Sequence, residues 1–131
     1  MKKVLIVEDN GEWRELLAMV IKRLGHTAVS APDGEEGVRQ ALATQPDLIL
    51  MDLGLPEMGG DEATVRIKSD PATRHIPIII QTAFGASAAA TRALEAGAAE
   101  MLQKPISITD IQKRVQEYLS NGDSAGRGST R

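Results

Sequence analysis

Five short strand-like runs alternate along this chain with segments of helical period, and that alternation limits the fold more than any other feature. The runs are Lys3–Val7 ("KVLIV"), Thr27–Ala31 ("TAVSA"), Leu48–Met51 ("LILM"), Ile76–Ile80 ("IPIII") and Glu100–Gln103 ("EMLQ"). Between the first two, Trp13, Leu16, Leu17, Val20, Ile21 and Leu24 recur at i, i+3, i+4, i+7, i+8 and i+11, one face of a helix, with Gly25 as its stop. Asp33 and Glu36 make a capping-box-like start for a helix that runs to about Thr44, before Pro46. A third helix is expected over Gly60–Ser69, ending in the "SDPATRHIP" turn, and the Ala-rich "ASAAATRALEA" forms a fourth, stopped by Gly97. Ser107 and Asp110 cap the last, whose apolar face is Ile108, Ile111, Val115, Tyr118 and Leu119.

Strands that alternate with helices specify an α/β domain with a parallel sheet. The continuous rather than alternating apolar runs mean that the sheet is covered on both faces. Right-handed crossovers then leave two common doubly wound orders, of which 2-1-3-4-5 suits five strands. The expected fold is therefore a flavodoxin-like doubly wound (βα)5 domain over residues 1–120. The polar, Gly/Ser-rich segment 121–131 is expected to be a disordered tail or linker.

The composition excludes several function classes. No apolar run approaches the roughly 18 residues of a membrane span, and "VLIV" is too short for a signal peptide before it meets Glu8 and Asp9. A cytoplasmic protein is the expectation. There is no cysteine, so disulfides, thiolate nucleophiles and Cys-zinc sites are out. A net charge of −3 offers no general attraction to nucleic acid. His26 and His75 are isolated and make no metal-binding pair.

In such a fold, ligands bind beyond the carboxyl ends of the strands, where the strand order reverses. Glu8 and Asp9 come after the first strand and Asp52 after the third; the fourth ends at Gln81-Thr82 and the fifth at Lys104-Pro105. Three carboxylates, a hydroxyl and an ammonium thus converge on one rim. Three nearby carboxylates repel, and one would have its pKa raised. Lys104 offsets part of this, and a hard divalent cation such as Mg²⁺ offsets the rest. A metal beside a cation and a hydroxyl suits phosphoryl oxygens, and Asp52 becomes a candidate nucleophile. Taken singly, each residue has an ordinary reading: helix-dipole acids for Glu8 and Asp9, a turn residue for Asp52, a strand end for Thr82, a surface lysine for Lys104. Their common arrival at the ends of four strands favours a site.

With these residues in place, the sequence resembles the receiver domain of two-component response regulators over about Lys2 to Leu119. "VLIVEDN", "LILMDLGLPEMGG", "IPIIIQTA" and "GAAEMLQKP" appear in that family's order and spacing. The resemblance implies Asp52 as phosphoacceptor, Asp9 as a direct Mg²⁺ ligand with Glu8 beside it, and the backbone carbonyl of Gly54 as a further ligand. It implies Thr82 and Lys104 as the groups that engage the phosphoryl oxygens, and a cis Lys104-Pro105 peptide. The implied donor is a phosphohistidine on a sensor histidine kinase or a histidine phosphotransfer protein. The implied output is a changed helix-4, strand-5, helix-5 face that meets an unknown downstream protein, as monomer or phosphorylation-dependent dimer. Only self-phosphorylation and slow self-dephosphorylation would be catalysed, so the chain is not an enzyme in the usual sense.

Four positions depart from or qualify that pattern. Met101 stands where receivers usually carry a Tyr or Phe, so output is expected to rely on loop and helix-4 displacement. Gly54 offers no side chain to orient attacking water and Phe84 could shield its path, which predicts a long-lived phosphoryl group. Trp13 has core spacing, yet lies four residues after Asp9 and could sense the site. The Ala-rich fourth helix suits close packing, or alternatively a shallow docking face. Rival readings fit less well. An aspartyl-phosphate phosphatase looks for an acid at position 54, a flavin module needs aromatics and a phosphate loop in place of "VEDNGE", and a DNA regulator needs a further helical domain. The sequence leaves open whether the chain is a complete regulator or a receiver excised from a larger protein.

Overall fold

The structure, a computed structural model, describes residues 1–83 and 87–123, the last three by their backbone alone. The elements alternate as expected: β1 (Lys3–Val7), α1 (Gly11–Arg23), β2 (Thr27–Ala31), α2 (Gly34–Thr44), β3 (Leu48–Asp52), α3 (Gly60–Ser69), β4 (Ile78–Thr82), α4 (Ala88–Ala96), β5 (Glu100–Gln103) and α5 (Ile108–Asp123). All strand pairs are parallel, in the order β2-β1-β3-β4-β5.

Three elements differ from the sequence reading: α4 starts at Ala88, after Ser87 as its N-cap, and β4 and α5 also shift. β4 begins at Ile78, two residues late: Pro77 has no N–H to give the ladder, although its carbonyl still accepts from Ile49 N–H at 3.0 Å. α5 continues through Asp123 instead of stopping at Leu119. The disordered tail expected over 121–131 lies, from residue 124 on, outside the described residues.

The two faces of the sheet bury different rows. Val4, Ile6, Leu48, Leu50 and Ile79 pack against Leu17, Val20 and Ile21 of α1 and Ile111, Val115 and Leu119 of α5. Leu5, Val7, Ile49, Met51, Ile78 and Ile80 pack against Ala41 of α2, Ala63 and Ile67 of α3, and Ala90 and Ala93 of α4. Each such large side chain contributes about 1.5–3 kcal/mol by leaving water. The small residues of α4 thus serve close packing, and Met101 is half-buried against the same cluster.

Strand side chains alternate between faces, so these rows also aim the polar residues that extend them. Glu8 continues the row of Val4 and Ile6, Asp52 that of Leu48 and Leu50, and Gln81 that of Ile79. All three stand on the α1/α5 side of the carboxyl edge. Gly60 lets α3 begin against the end of β3, because a Cβ there would collide with the Asp52 carbonyl oxygen and meet the Leu53 Cα at 2.8 Å. The linker from Leu53 to Gly59 is thereby held out of helix, with Glu57 in the left-handed region at φ 61. Among the described residues, no helix is long and apolar enough to cross a membrane.

Candidate functional site

The carboxyl edge holds the acids the sequence singled out. Glu8, Asp9 and Asp52 each place a carboxylate oxygen within 4.8 Å of the others. Their burial differs: Glu8 is 1% exposed and Asp52 5%, while Asp9 is open to solvent. The Lys104 ammonium joins the two buried acids, 3.3 Å from Glu8 Oε1 and 3.3 Å from Asp52 Oδ1. The Lys104-Pro105 peptide is cis, as the sequence reading expected. The Lys104 backbone N–H donates to the Thr82 carbonyl at 2.7 Å, which extends the β4–β5 ladder up to the lysine.

Backbone groups complete the shell. Gly54 N–H donates to Asp52 Oδ1 at 3.2 Å, and Asn10 N–H donates to Glu8 Oε2 at 3.1 Å. Asn10 is also the N-cap of α1, its side chain accepting from Trp13 N–H at 2.9 Å. Arg14 Nη1 donates to the Glu8 carbonyl at 2.7 Å and ties the end of β1 to α1.

Burial raises the Glu8 carboxyl above its ordinary 4.5, and the nearby Asp52 charge adds to that; the Asn10 N–H and Lys104 pull the other way. A site that holds three acids against one lysine is short of positive charge. The donor set is all oxygen and all hard, and its spacing fits a small divalent cation that keeps part of its water shell. The residues present therefore fit Mg²⁺, which Glu8, Asp9 and Asp52 would hold.

Two openings flank Lys104. A cavity of about 510 Å³ is lined by Glu8, Trp13, Lys104, Pro105 and Ile106, among others. A second, of about 440 Å³, is lined by Asp52, Gly54, Thr82, Ser87, Ala89 and Lys104. Thr82 thus shares a cavity with the Asp52 carboxylate and the lysine, and is itself buried. Phe84, expected to shield this side, lies outside the described residues.

Sequence reasoning brought Glu8, Asp9, Asp52, Gly54, Thr82 and Lys104 to this edge, and the structure collects them there. It missed Gln81 as a site residue. Gln81 is wholly buried beside Asp52 in the β3–β4 register, and its Oε1 accepts from Trp13 Nε1 at 3.3 Å. The available signal was a lone amide ending the otherwise apolar run before Thr82. Trp13 is only partly core: it packs against the α1/α5 cluster and also walls the larger cavity.

A doubly wound sheet that gathers acids, a hydroxyl and a lysine at its switch point defines a class of small α/β domain with a polar site at the carboxyl edge of its strands. The comparisons with known proteins resolve that class. Residues 4–116 match the family model described as "Response regulator receiver domain", and the chain belongs to that family. It is 37% identical over 120 residues to the polar-differentiation response regulator DivK of Brucella anthropi, covering 92% of this chain and 98% of that one. Brucella ovis DivK matches at the same identity and coverage. Among solved structures, the receiver domain of a sensor histidine kinase from Pseudomonas aeruginosa, described with a magnesium ion coordinated in its active-site cleft, superposes with a TM-score of 0.82. The two are 31% identical, over 91% of this chain and 98% of that one. A CheY-like receiver from Methanospirillum hungatei shares the fold, with a TM-score of 0.88 at 22% identity, over 95% of this chain and 98% of that one. The chain is thus a receiver domain of two-component signalling, a switch module rather than a turnover enzyme.

Proposed function

We propose that the chain is a phosphorylation-dependent switch in which Asp52 accepts a phosphoryl group from a phosphohistidine on a sensor histidine kinase or a histidine phosphotransfer protein. The observation that carries this reading is the Lys104 ammonium shared between buried Glu8 and Asp52 at the rim, with Asp9 alongside. Glu8, Asp9, Asp52 and the Gly54 carbonyl would hold Mg²⁺; when bound, it supplies positive charge against the phosphoryl oxygens.

An Asp52 carboxylate oxygen attacks the phosphorus in line. The P–N bond breaks, its electron pair returns to the ring nitrogen, and the donor leaves as neutral imidazole if its other nitrogen already carries a proton. Lys104 is poised to trade its carboxylate contacts for a phosphoryl oxygen, because its ammonium is already 3.3 Å from Asp52. Thr82 donates from the other side of the cavity they share. This draws in the segment after β4 and shifts the population of the α4–β5–α5 face toward a state that binds a downstream protein. Met101 sits half-buried under α4 and accommodates the shift by its flexibility, with no ring to swing. Gly54 leaves attacking water without a side chain to orient it, so the phosphoryl group is long-lived.

The test is Mg²⁺-dependent labelling of the chain by a histidine-phosphorylated kinase. Chelation should stop labelling. Thr82→Ala should still be labelled but lose the conformational change, read from amide chemical shifts of α4 and β5. Labelling that persists without any divalent cation would contradict the assignment.

A further inference from the structure

Gln81 is a buried polar group with no task in that chemistry. Its side chain is fully buried, yet its Nε2 has no hydrogen-bond partner among the described residues. A buried amide N–H left unpaired is a cost to folding that an apolar side chain of similar length would avoid. Its Oε1 is committed to Trp13 Nε1 through a long bond of 3.3 Å, which directs the NH2 end away from the indole.

The lateral neighbours of Gln81 are informative. In register it faces Asp52 on β3 and Leu102 on β5. Adjacent strands stand about 4.8 Å apart, so the Gln81 and Asp52 side chains rise as neighbours on one face. Lys104, leaving the end of β5, reaches across β4 to Asp52 and to Glu8 beyond it. Gln81 thus lies between the lysine's origin and the carboxylates it serves.

We propose that Gln81 is a positioning residue that couples loading of the acidic site to Trp13 and the first turn of α1. When the carboxylates turn toward a bound cation and Lys104 loosens, Nε2 of Gln81 becomes a donor to the Asp52 carboxylate. The indole, held through Oε1 of the same amide, moves with it. This rests on the metal-binding reading of Glu8, Asp9 and Asp52.

Trp13 is the only tryptophan, so its indole N–H gives one resonance and its emission one signal. The full chain is titrated with Mg²⁺ alone, with binding measured in parallel by calorimetry. The wild type should show a saturable shift of the indole resonance and emission that tracks calorimetric binding. Gln81→Met should bind Mg²⁺ several-fold more weakly, because the bond it lacks forms only in the loaded state, and at saturation should lose most of the indole shift. Gln81→Asn retains a buried amide too short to span both partners, should behave likewise, and serves if the Met variant does not fold. The coupling is overturned if either variant keeps the wild-type shift at saturation, or if the wild-type indole is silent while calorimetry shows binding. Absence of calorimetric Mg²⁺ binding by the wild type is a separate result: it overturns the metal reading, and the coupling with it.

Discussion

Lys104 Nζ stands 3.3 Å from Glu8 Oε1 and 3.3 Å from Asp52 Oδ1, so a single half-buried cation balances two buried carboxylates. Desolvating two like charges against one cation leaves a net penalty. Asp52→Asn should therefore stabilise the metal-free domain by about 1 kcal/mol, and Lys104→Met should destabilise it by a similar amount or more. Thermal unfolding in the presence of a chelator reads both; an Asp52→Asn protein that melts below wild type would count against this balance of charges.

The raised Glu8 pKa fixes a sign for the pH dependence. The native state keeps the Glu8 proton to higher pH than the unfolded chain, whose value is near 4.5. Between that pH and the raised native value the native state binds more protons, so stability falls as pH rises through the window. Wild type minus Glu8→Gln, compared by denaturant unfolding across that range, should slope downward with pH. Saturating Mg²⁺ should flatten or reverse the slope, since the cation favours the ionised acid. A difference that rises with pH without metal would refute this sign.

Tyr118 provides an independent check far from the acids. Its hydroxyl donates to Glu100 Oε2 at 2.6 Å. Burial first, and then the Glu100 contact, push its pKa up from 10.0 to about 12. The stabilisation it contributes is complete below 10.0 and is lost as pH climbs toward about 12. It is the only tyrosine, so tyrosinate absorbance follows it alone. Glu100→Gln should bring the midpoint part of the way back toward 10.0; an unshifted midpoint in the wild type would show that neither the burial nor the contact persists in solution.

Two glycines near Asp52 should differ sharply in what they tolerate. A Cβ on Gly60 would strike the Asp52 carbonyl oxygen and approach the Leu53 Cα at 2.8 Å, both of them backbone. Gly60→Ala should cost about 3 kcal/mol and disturb the end of β3. At Gly54 the nearest atom to a Cβ is Asp52 Oδ1 at 3.9 Å, an ordinary contact. Gly54→Ala should stay within about 0.5 kcal/mol of wild type. Equal losses in the two variants, measured by denaturant midpoints, would remove the close-approach argument.

The alternation of strand and helix, the sheet order and the convergence at the switch point were all readable from "KVLIV", "LILM" and the polar residues at their ends. Period and topology suffice there, because a parallel sheet leaves few ways to connect such elements. Which acid would be buried was not readable. Both faces of β1 are covered, so Val4-Ile6-Glu8 and Leu5-Val7-Asp9 look alike in sequence, and only the helix packed on each side separates the buried acid from the exposed one. Gln81 escaped for a related reason: its meaning depends on Trp13, an indole 68 residues away that α1 delivers to it. The start of β4 moved because Pro77 cannot donate to the ladder, a local rule that the apolar run "IPIII" masked.

The proposed switch depends on Asp52 being the phosphoryl acceptor. The decisive experiment incubates wild type and Asp52→Asn with a histidine-phosphorylated sensor kinase and Mg²⁺, and follows label on each chain. Label should appear on the wild type and not on Asp52→Asn, with the variant still folded by circular dichroism. Equal labelling of both proteins would refute the assignment.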